Sequence, residues 1–154
     1  LMHVAIGYPA ASAERDILKL VRDEAANKAA EAPKEISQDN LFAVRQEILA
    51  MHMAPEVEEY IIQLIMATRE PAAYGDDLAS WLEFGASPRG TISLDRCARA
   101  HAWINGRDFV SPDDVQEVLF DVLRHRILLS FEAEASGVTP DQVLEAIRQR
   151  VPSA

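Results

Sequence analysis

The residues in this chain best placed to do chemistry form the stretch Gly-Ala-Ser-Pro-Arg-Gly at positions 85–90. Ser87 suits the N-cap of a helix, and Pro88 suits the first helical position, where the N–H that proline lacks would have no partner. Arg89 then falls in the first turn, among backbone N–H groups without intrahelical partners and at the positive end of the helix dipole. Such a place suits an anion such as a phosphate. The alternative is an ordinary capped helix that carries one surface arginine.

Other reactive side chains form no evident catalytic or metal-binding set. Cys97 and His101 lie four residues apart on one predicted helix, a spacing compatible with metal ligation, but no third ligand of that kind is nearby. A buried thiol beside an imidazole at the edge of the core is the favoured interpretation. The acidic pair at 113–114 is explained by helix capping, and the pair at 76–77 has no base or metal partner in view. We therefore predict no metal site and assign neither pair to catalysis.

The lysines exclude a nucleotide site of the P-loop type. That motif needs Gly-x-x-x-x-Gly-Lys followed by Ser or Thr, and none of Lys19, Lys28 and Lys34 follows a glycine. The chain by itself therefore cannot cradle a triphosphate, and we expect no nucleotide to be tightly bound to it.

Composition favours a helical globular fold. The 154 residues are 49% hydrophobic but only 6% aromatic, and the chain is long enough to bury a core. Its 15 basic and 25 acidic side chains give a net charge of −10, which argues against general binding to nucleic acids or membrane surfaces. A single cysteine, no long apolar segment and no evident signal peptide favour a cytoplasmic protein without membrane insertion.

Hydrophobic periodicity predicts an all-α bundle of about six helices. The expected N-caps are Ser12, Ser37, Ser87, Ser111 and Thr139. The predicted helices cover residues 11–30, 38–50, 55–70, 88–105, 112–123 and 140–150. Between them, residues 71–84 are expected to be mostly loop with a short helical turn near Leu78, and residues 127–131 could form either strand or helix.

The first seven residues alternate loosely in polarity, which predicts a short strand. A strand needs a neighbour for its backbone groups, and no second strand is evident. Because the first residue is Leu1 rather than methionine, we expect the chain to be a piece of a longer protein that contains the rest of the sheet.

Several segments resemble those of the MoxR-family AAA+ ATPases, in the same order and spacing. Residues 1–9, Leu-Met-His-Val-Ala-Ile-Gly-Tyr-Pro, and residues 14–18, Glu-Arg-Asp-Ile-Leu, are similar to the last core strand and the first lid helix of that family. Residues 85–89 resemble its sensor-2 motif. Further similar segments follow at 98–100, 106–110, 112–115 and 122–126. The Walker A, Walker B, sensor-1 and arginine-finger segments do not occur in the chain.

The resemblance implies a helical lid of the AAA+ type with a strand stub left from the ATPase core. Residues 1–9 would be the end of the core and the hinge, residues 10–130 the lid, and residues 131–154 a C-terminal helical extension of the lid. The extension carries little that matches a named role. The full-length protein would then be an ATPase, and this chain by itself would be inactive.

The resemblance also implies a nucleotide-contacting role for five residues. Arg89 corresponds to the sensor-2 arginine, which approaches the γ-phosphate of ATP bound with Mg²⁺ between core and lid. Ser87 and Pro88 flank it at the start of the helix. Tyr8 and Pro9 lie at the hinge and border the adenine pocket.

The implied partners are the AAA+ core of the same protein, neighbouring subunits of an ATPase ring, and client proteins. The clients often contain von Willebrand factor A domains, and ATP hydrolysis would remodel or mature their complexes. The alternative is an acidic helical interaction module with no nucleotide role. That module predicts a dispensable Arg89, whereas the lid hypothesis predicts an exposed Arg89 that points away from the bundle.

Overall fold

Helices account for most of the chain in the computed structural model, which describes residues 1–26 and 34–153. The helices are α1 Ala11–Ala25, α2 Gln38–Ala50, α3 Pro55–Arg69, α4 Asp76–Trp81, α5 Pro88–Ile104, α6 Pro112–Leu123, α7 Phe131–Ala135 and α8 Pro140–Arg150, with a 3₁₀ turn at Pro71–Ala73. The all-α prediction is confirmed. The contacts between residues divide the chain into two compact units, one of residues 1–4 and 44–154 and one of residues 5–43.

Four short strands form two small pairs in the larger unit. They are β1 His52–Met53, β2 Leu82–Phe84, β3 Phe109–Val110 and β4 Leu128–Leu129. Strand β1 pairs with β3 in parallel, and β2 pairs with β4 in antiparallel orientation. The predicted strand over residues 1–7 is not formed. The N–H of His3 instead donates to the carbonyl of Asp121, 2.7 Å away, while Arg124 and Arg126 donate to the carbonyls of His3 and Leu1. The end of α6 thus satisfies backbone groups that would otherwise need a neighbouring strand.

The core of the larger unit lies between α3, α5, α6 and α8. Helix α5 packs against α6 and α3, and α8 packs against α3, α4 and α6. The large side chains that are fully buried there include Leu64, Ile65, Leu78, Leu94, Leu119, Leu123, Leu144 and Ile147. The helical spacing of apolar residues favours burial of Ile92 and Ile104 as well, but they are 50% and 74% exposed. Ile92 lies about 200° around the helix from the buried Leu94, and Ile104 is the last residue of α5.

The smaller unit contains α1 and the start of α2. Helix α1 begins one residue before the predicted cap, because Ala10 is at the N-cap and its carbonyl accepts from Glu14. The prediction that Ser12 caps this helix is therefore wrong. The predicted cap of α2 is confirmed, since the N–H of Asn40 donates to the Ser37 hydroxyl over 3.1 Å. The part of the predicted first helix that follows residue 26 lies outside the described residues.

Residues 71–84 are more ordered than predicted. They form the 3₁₀ turn, α4 and β2. Arg150 at the end of α8 donates two hydrogen bonds of 2.6 Å to the carboxylate of Asp77, in the first turn of α4. A partner more than seventy residues away thus helps to hold a helix of only six residues. Among the described residues, no helix is long and apolar enough to cross a membrane.

Candidate functional site

The start of α5 has the predicted position but lacks the predicted cap. Ser87 is at the N-cap with extended backbone, and Pro88 is the first helical residue. The Ser87 hydroxyl, however, accepts no hydrogen bond from the first turn. Its carbonyl accepts from the N–H of Gly90 at 2.7 Å. No side chain therefore closes this end of the helix from within.

Arg89 lies in this uncapped first turn and is exposed. Its guanidinium makes no hydrogen bond or ion pair with any residue in the ranges 1–26 and 34–153. Only its backbone carbonyl is engaged, by the Ser93 hydroxyl at 2.7 Å. A charged group with five donors thus stands next to the positive end of the helix without an internal acceptor.

The segment that leads into α5 is fastened to the C-terminal end of α3. The N–H of Ala86 donates to the hydroxyl of Thr68 over 2.9 Å, and this hydroxyl donates to the carbonyl of Ile65 over 2.7 Å. The carbonyl of Ala86 accepts from Nε of Arg69 at 2.8 Å. Both backbone groups of one residue are therefore held by two consecutive residues of α3. No local sequence pattern marks Thr68 and Arg69 as partners of Ala86, because Ala86 lies 18 and 17 residues further along the chain.

The two glycines of the motif provide space for this attachment. A Cβ atom on Gly85 would clash with the carbonyl group of Thr68 and would stand 2.8 Å from the backbone nitrogen of Arg69. A Cβ atom on Gly90 would lie 3.1 Å from Ile65 and 3.2 Å from Leu123. The missing side chain of Gly85 thus lets the chain approach the backbone of α3, and that of Gly90 leaves room for the side chains of Ile65 and Leu123.

The residues implied by the resemblance fall in both units. Ser87, Pro88 and Arg89 form the start of α5 in the larger unit. Tyr8 and Pro9 belong to residues 5–43, and the side chain of Tyr8 is fully exposed. Tyr8 and Pro9 therefore remain predictions as nucleotide contacts.

A second polar cluster surrounds Asp114, at the start of α6. This carboxylate is fully buried and accepts from the N–H and hydroxyl of Ser111 at 2.9 and 2.8 Å. Nδ1 of His101 lies 2.8 Å away, and Arg107 forms an ion pair with the same carboxylate. Burial by itself would raise the pKa of Asp114, but the hydrogen bonds and the Arg107 charge together lower it.

This cluster is a structural feature of the helix start. Every acceptor position is occupied by the protein's own donors, and the capping prediction for Ser111 and Asp114 is confirmed. His101 is engaged here rather than paired with Cys97. The Cys97 thiol is buried, and burial raises its pKa, which makes it a poor nucleophile. Within the described parts of the chain, no three His, Cys, Asp or Glu side chains are grouped so as to hold a metal.

The chain is similar to a known domain family, to curated proteins and to a solved structure. The AAA lid domain family matches residues 79–147, which include the start of α5. Chaperone MoxR1 of Mycobacterium tuberculosis is 35% identical over 153 residues, covering 98% of this chain and 39% of that protein. Protein MoxR of Paracoccus denitrificans is 41% identical over 96 residues, covering 58% of this chain and 28% of that protein. A crystal structure of a candidate ATPase from Cytophaga hutchinsonii superposes with a TM-score of 0.92 at 37% identity, covering 99% of this chain and 46% of that one.

The fold and these matches define an AAA lid domain. Within that class, the chain belongs to the MoxR family of AAA+ ATPases. It spans 39% of the length of Chaperone MoxR1 and 46% of the Cytophaga protein. The family predicted from the sequence is confirmed.

Proposed function

We propose that this lid supplies Arg89 to the γ-phosphate of ATP bound with Mg²⁺ on an AAA+ core. The observation that supports the proposal is an exposed guanidinium without an internal acceptor, carried on an uncapped helix start that two hydrogen bonds fasten to α3. A structural arginine would be expected to have a partner, as Arg124, Arg126, Arg148 and Arg150 do.

The chemistry of the site suits a phosphoryl group. A guanidinium offers several donors in a fixed plane and can bind two phosphate oxygens at once. The N-terminus of α5 adds partial positive charge beside it. During phosphoryl transfer, negative charge spreads over the oxygens of the transferred group, and a placed arginine stabilises that charge.

The position of Arg89 on the lid gives hydrolysis a mechanical consequence. When the γ-phosphate leaves, Arg89 loses its acceptor, and the lid can rotate against the core. In this proposal, Tyr8 and Pro9 form the hinge and border the adenine. The rotation would act within an ATPase ring to remodel or mature client complexes, including clients with von Willebrand factor A domains.

The proposal is tested in the full-length ATPase with the substitution Arg89→Ala. We expect the rate of ATP hydrolysis to fall about a hundredfold, the usual loss when one placed donor to a developing charge is removed. Arg96→Ala is the matched control, since Arg96 is an exposed arginine on the same helix, about two turns away. Unchanged hydrolysis and unchanged ring assembly in Arg89→Ala would overturn the proposal and leave the acidic interaction module as the better description.

A further inference from the structure

The attachment between α3 and α5 has a feature that a simple packing contact does not require. The Thr68 hydroxyl uses both of its functions, accepting from Ala86 and donating to Ile65. Its rotation is therefore fixed, and with it the direction from which the N–H of Ala86 is held. Thr68 and Ala86 are each 1% exposed, so water cannot replace either partner.

The second hydrogen bond makes the attachment directional. Nε of Arg69 holds the carbonyl of Ala86, while Thr68 holds the N–H of the same residue. Two bonds at the two ends of one residue restrict rotation of the chain at that point. Arg89 follows only three residues later, across the N-cap that has no side-chain cap of its own.

We propose that Thr68 and Arg69 are positioning residues that hold the start of α5 so that Arg89 meets the γ-phosphate. This inference rests on the proposed function of Arg89. In helices α6 and α8, a side chain at the N-cap or N3 position fixes the first turn from within. In α5 that task passes to the end of α3. The direction of the Arg89 guanidinium therefore depends on Thr68 and Arg69, which do not themselves contact the nucleotide in this proposal.

The test uses Thr68→Val in the full-length ATPase, because valine keeps the shape and removes only the hydroxyl functions. We expect the rate of hydrolysis at saturating ATP to fall about tenfold, since small displacements of a catalytic group are costly. Affinity for a non-hydrolysable ATP analogue should fall, while affinity for ADP, which has no γ-phosphate, should stay within about twofold. Thr68→Ser keeps the hydroxyl and should restore most of the activity.

Two further variants separate positioning from general destabilisation. Thr139→Val removes a threonine hydroxyl that caps α8, and it should leave hydrolysis unchanged. Arg69→Met removes the second hydrogen bond at an exposed position, so it should fold even if Thr68→Val does not. It should lower hydrolysis several-fold with the same preference for the ATP analogue over ADP.

The decisive comparison combines Thr68→Val with Arg89→Ala. If Thr68 acts through Arg89, the double variant should be no slower than Arg89→Ala alone. The positioning role would be overturned if Thr68→Val slowed hydrolysis by the same factor in the Arg89→Ala background as it does alone. Full activity in both Thr68→Val and Arg69→Met would overturn it as well. If Arg89→Ala itself retained full activity, the proposed function would fail instead, so the two failures are distinguishable.

Discussion

Helices α5 and α6 begin with the same two residue types and end up with opposite chemistry. Both have serine at the N-cap and proline at the first position. In α6 the N3 residue is Asp114, which turns back to the Ser111 backbone and is surrounded by donors. In α5 the hydroxyl of Ser87 makes no cap, and Arg89 points to no acceptor among the described residues.

The residues that follow the Ser-Pro start decide whether the positive end of the helix is neutralised by the protein itself or left open to an anion. A carboxylate three residues after the cap neutralises the helix end with the protein's own charge. An arginine near that position does the reverse, since it adds a cation to the positive end of the dipole. That arrangement costs stability and is favourable only when an external anion binds.

Removing the Asp114 charge at the start of α6 should destabilise the protein most. Asp114→Asn removes the charge that Arg107 and the Ser111 N–H face in a fully buried site. We expect the free energy of unfolding to fall by about 2 kcal/mol, because a neutral amide is a poorer acceptor for the buried donors of Ser111. Chemical denaturation of both proteins at pH 7 measures this difference.

The loss of stability in Asp114→Asn should also depend on pH. Because the folded-state pKa of Asp114 is lowered, its ionised form stabilises the protein above the unfolded pKa of about 4. That contribution is lost as the pH falls through the lower folded-state pKa. The stability gap to Asp114→Asn should therefore narrow below about pH 4. A gap of constant size over that range would contradict the assignment.

A smaller effect compares capped and uncapped helix ends directly. Thr139→Ala removes the hydroxyl that accepts from the N–H of Gln142, and we expect it to lower stability by about 1 kcal/mol. Ser87→Ala should cost less than about 0.5 kcal/mol, because its hydroxyl caps nothing. Thermal unfolding of the two variants side by side gives the comparison. Equal losses would show that Ser87 does cap α5 in solution.

A last and smaller effect concerns Asp77 in the first turn of α4, whose carboxylate binds Arg150. The hydrogen bonds from Arg150 lower the pKa of Asp77 to about 2. Arg150→Met should return this pKa towards about 4, which NMR titration of the carboxyl carbon can follow. Since the pKa is lowered, the pair contributes stability above about pH 4 and loses it as the pH falls through 2. An unchanged Asp77 pKa in the variant would contradict the pairing.

The sequence predicted the elements whose signals are local. Pro55, Pro88, Pro112 and Pro140 each begin a helix as expected, and Gly106 follows α5 with a positive φ of 71°. The family was also predictable, because each motif lies within a few consecutive residues and the motifs follow each other in the family's order and spacing.

The elements and site residues that were not predicted depend on partners distant in the chain. The α4 region was expected to contain only a short helical turn near Leu78, because its contact with Arg150 spans 73 residues and leaves no local signal. The strand expected over residues 1–7 did not form; backbone groups of Leu1 and His3 pair instead with the end of α6 and the residues just after it. Thr68 and Arg69 carried no signal, since a threonine and an arginine near a helix end are ordinary residues until the fold brings Ala86 to them.

The hydrogen bonds at Ala86 also make α3 a strut. This helix has 15 residues and is therefore about 22 Å long. Its far end follows β1, which pairs with β3. Under the proposed function, a pull on Arg89 would reach the end of α3 through the hydrogen bonds at Ala86. The other end of α3 adjoins the β1–β3 pair, so α3 would couple the start of α5 to that strand pair.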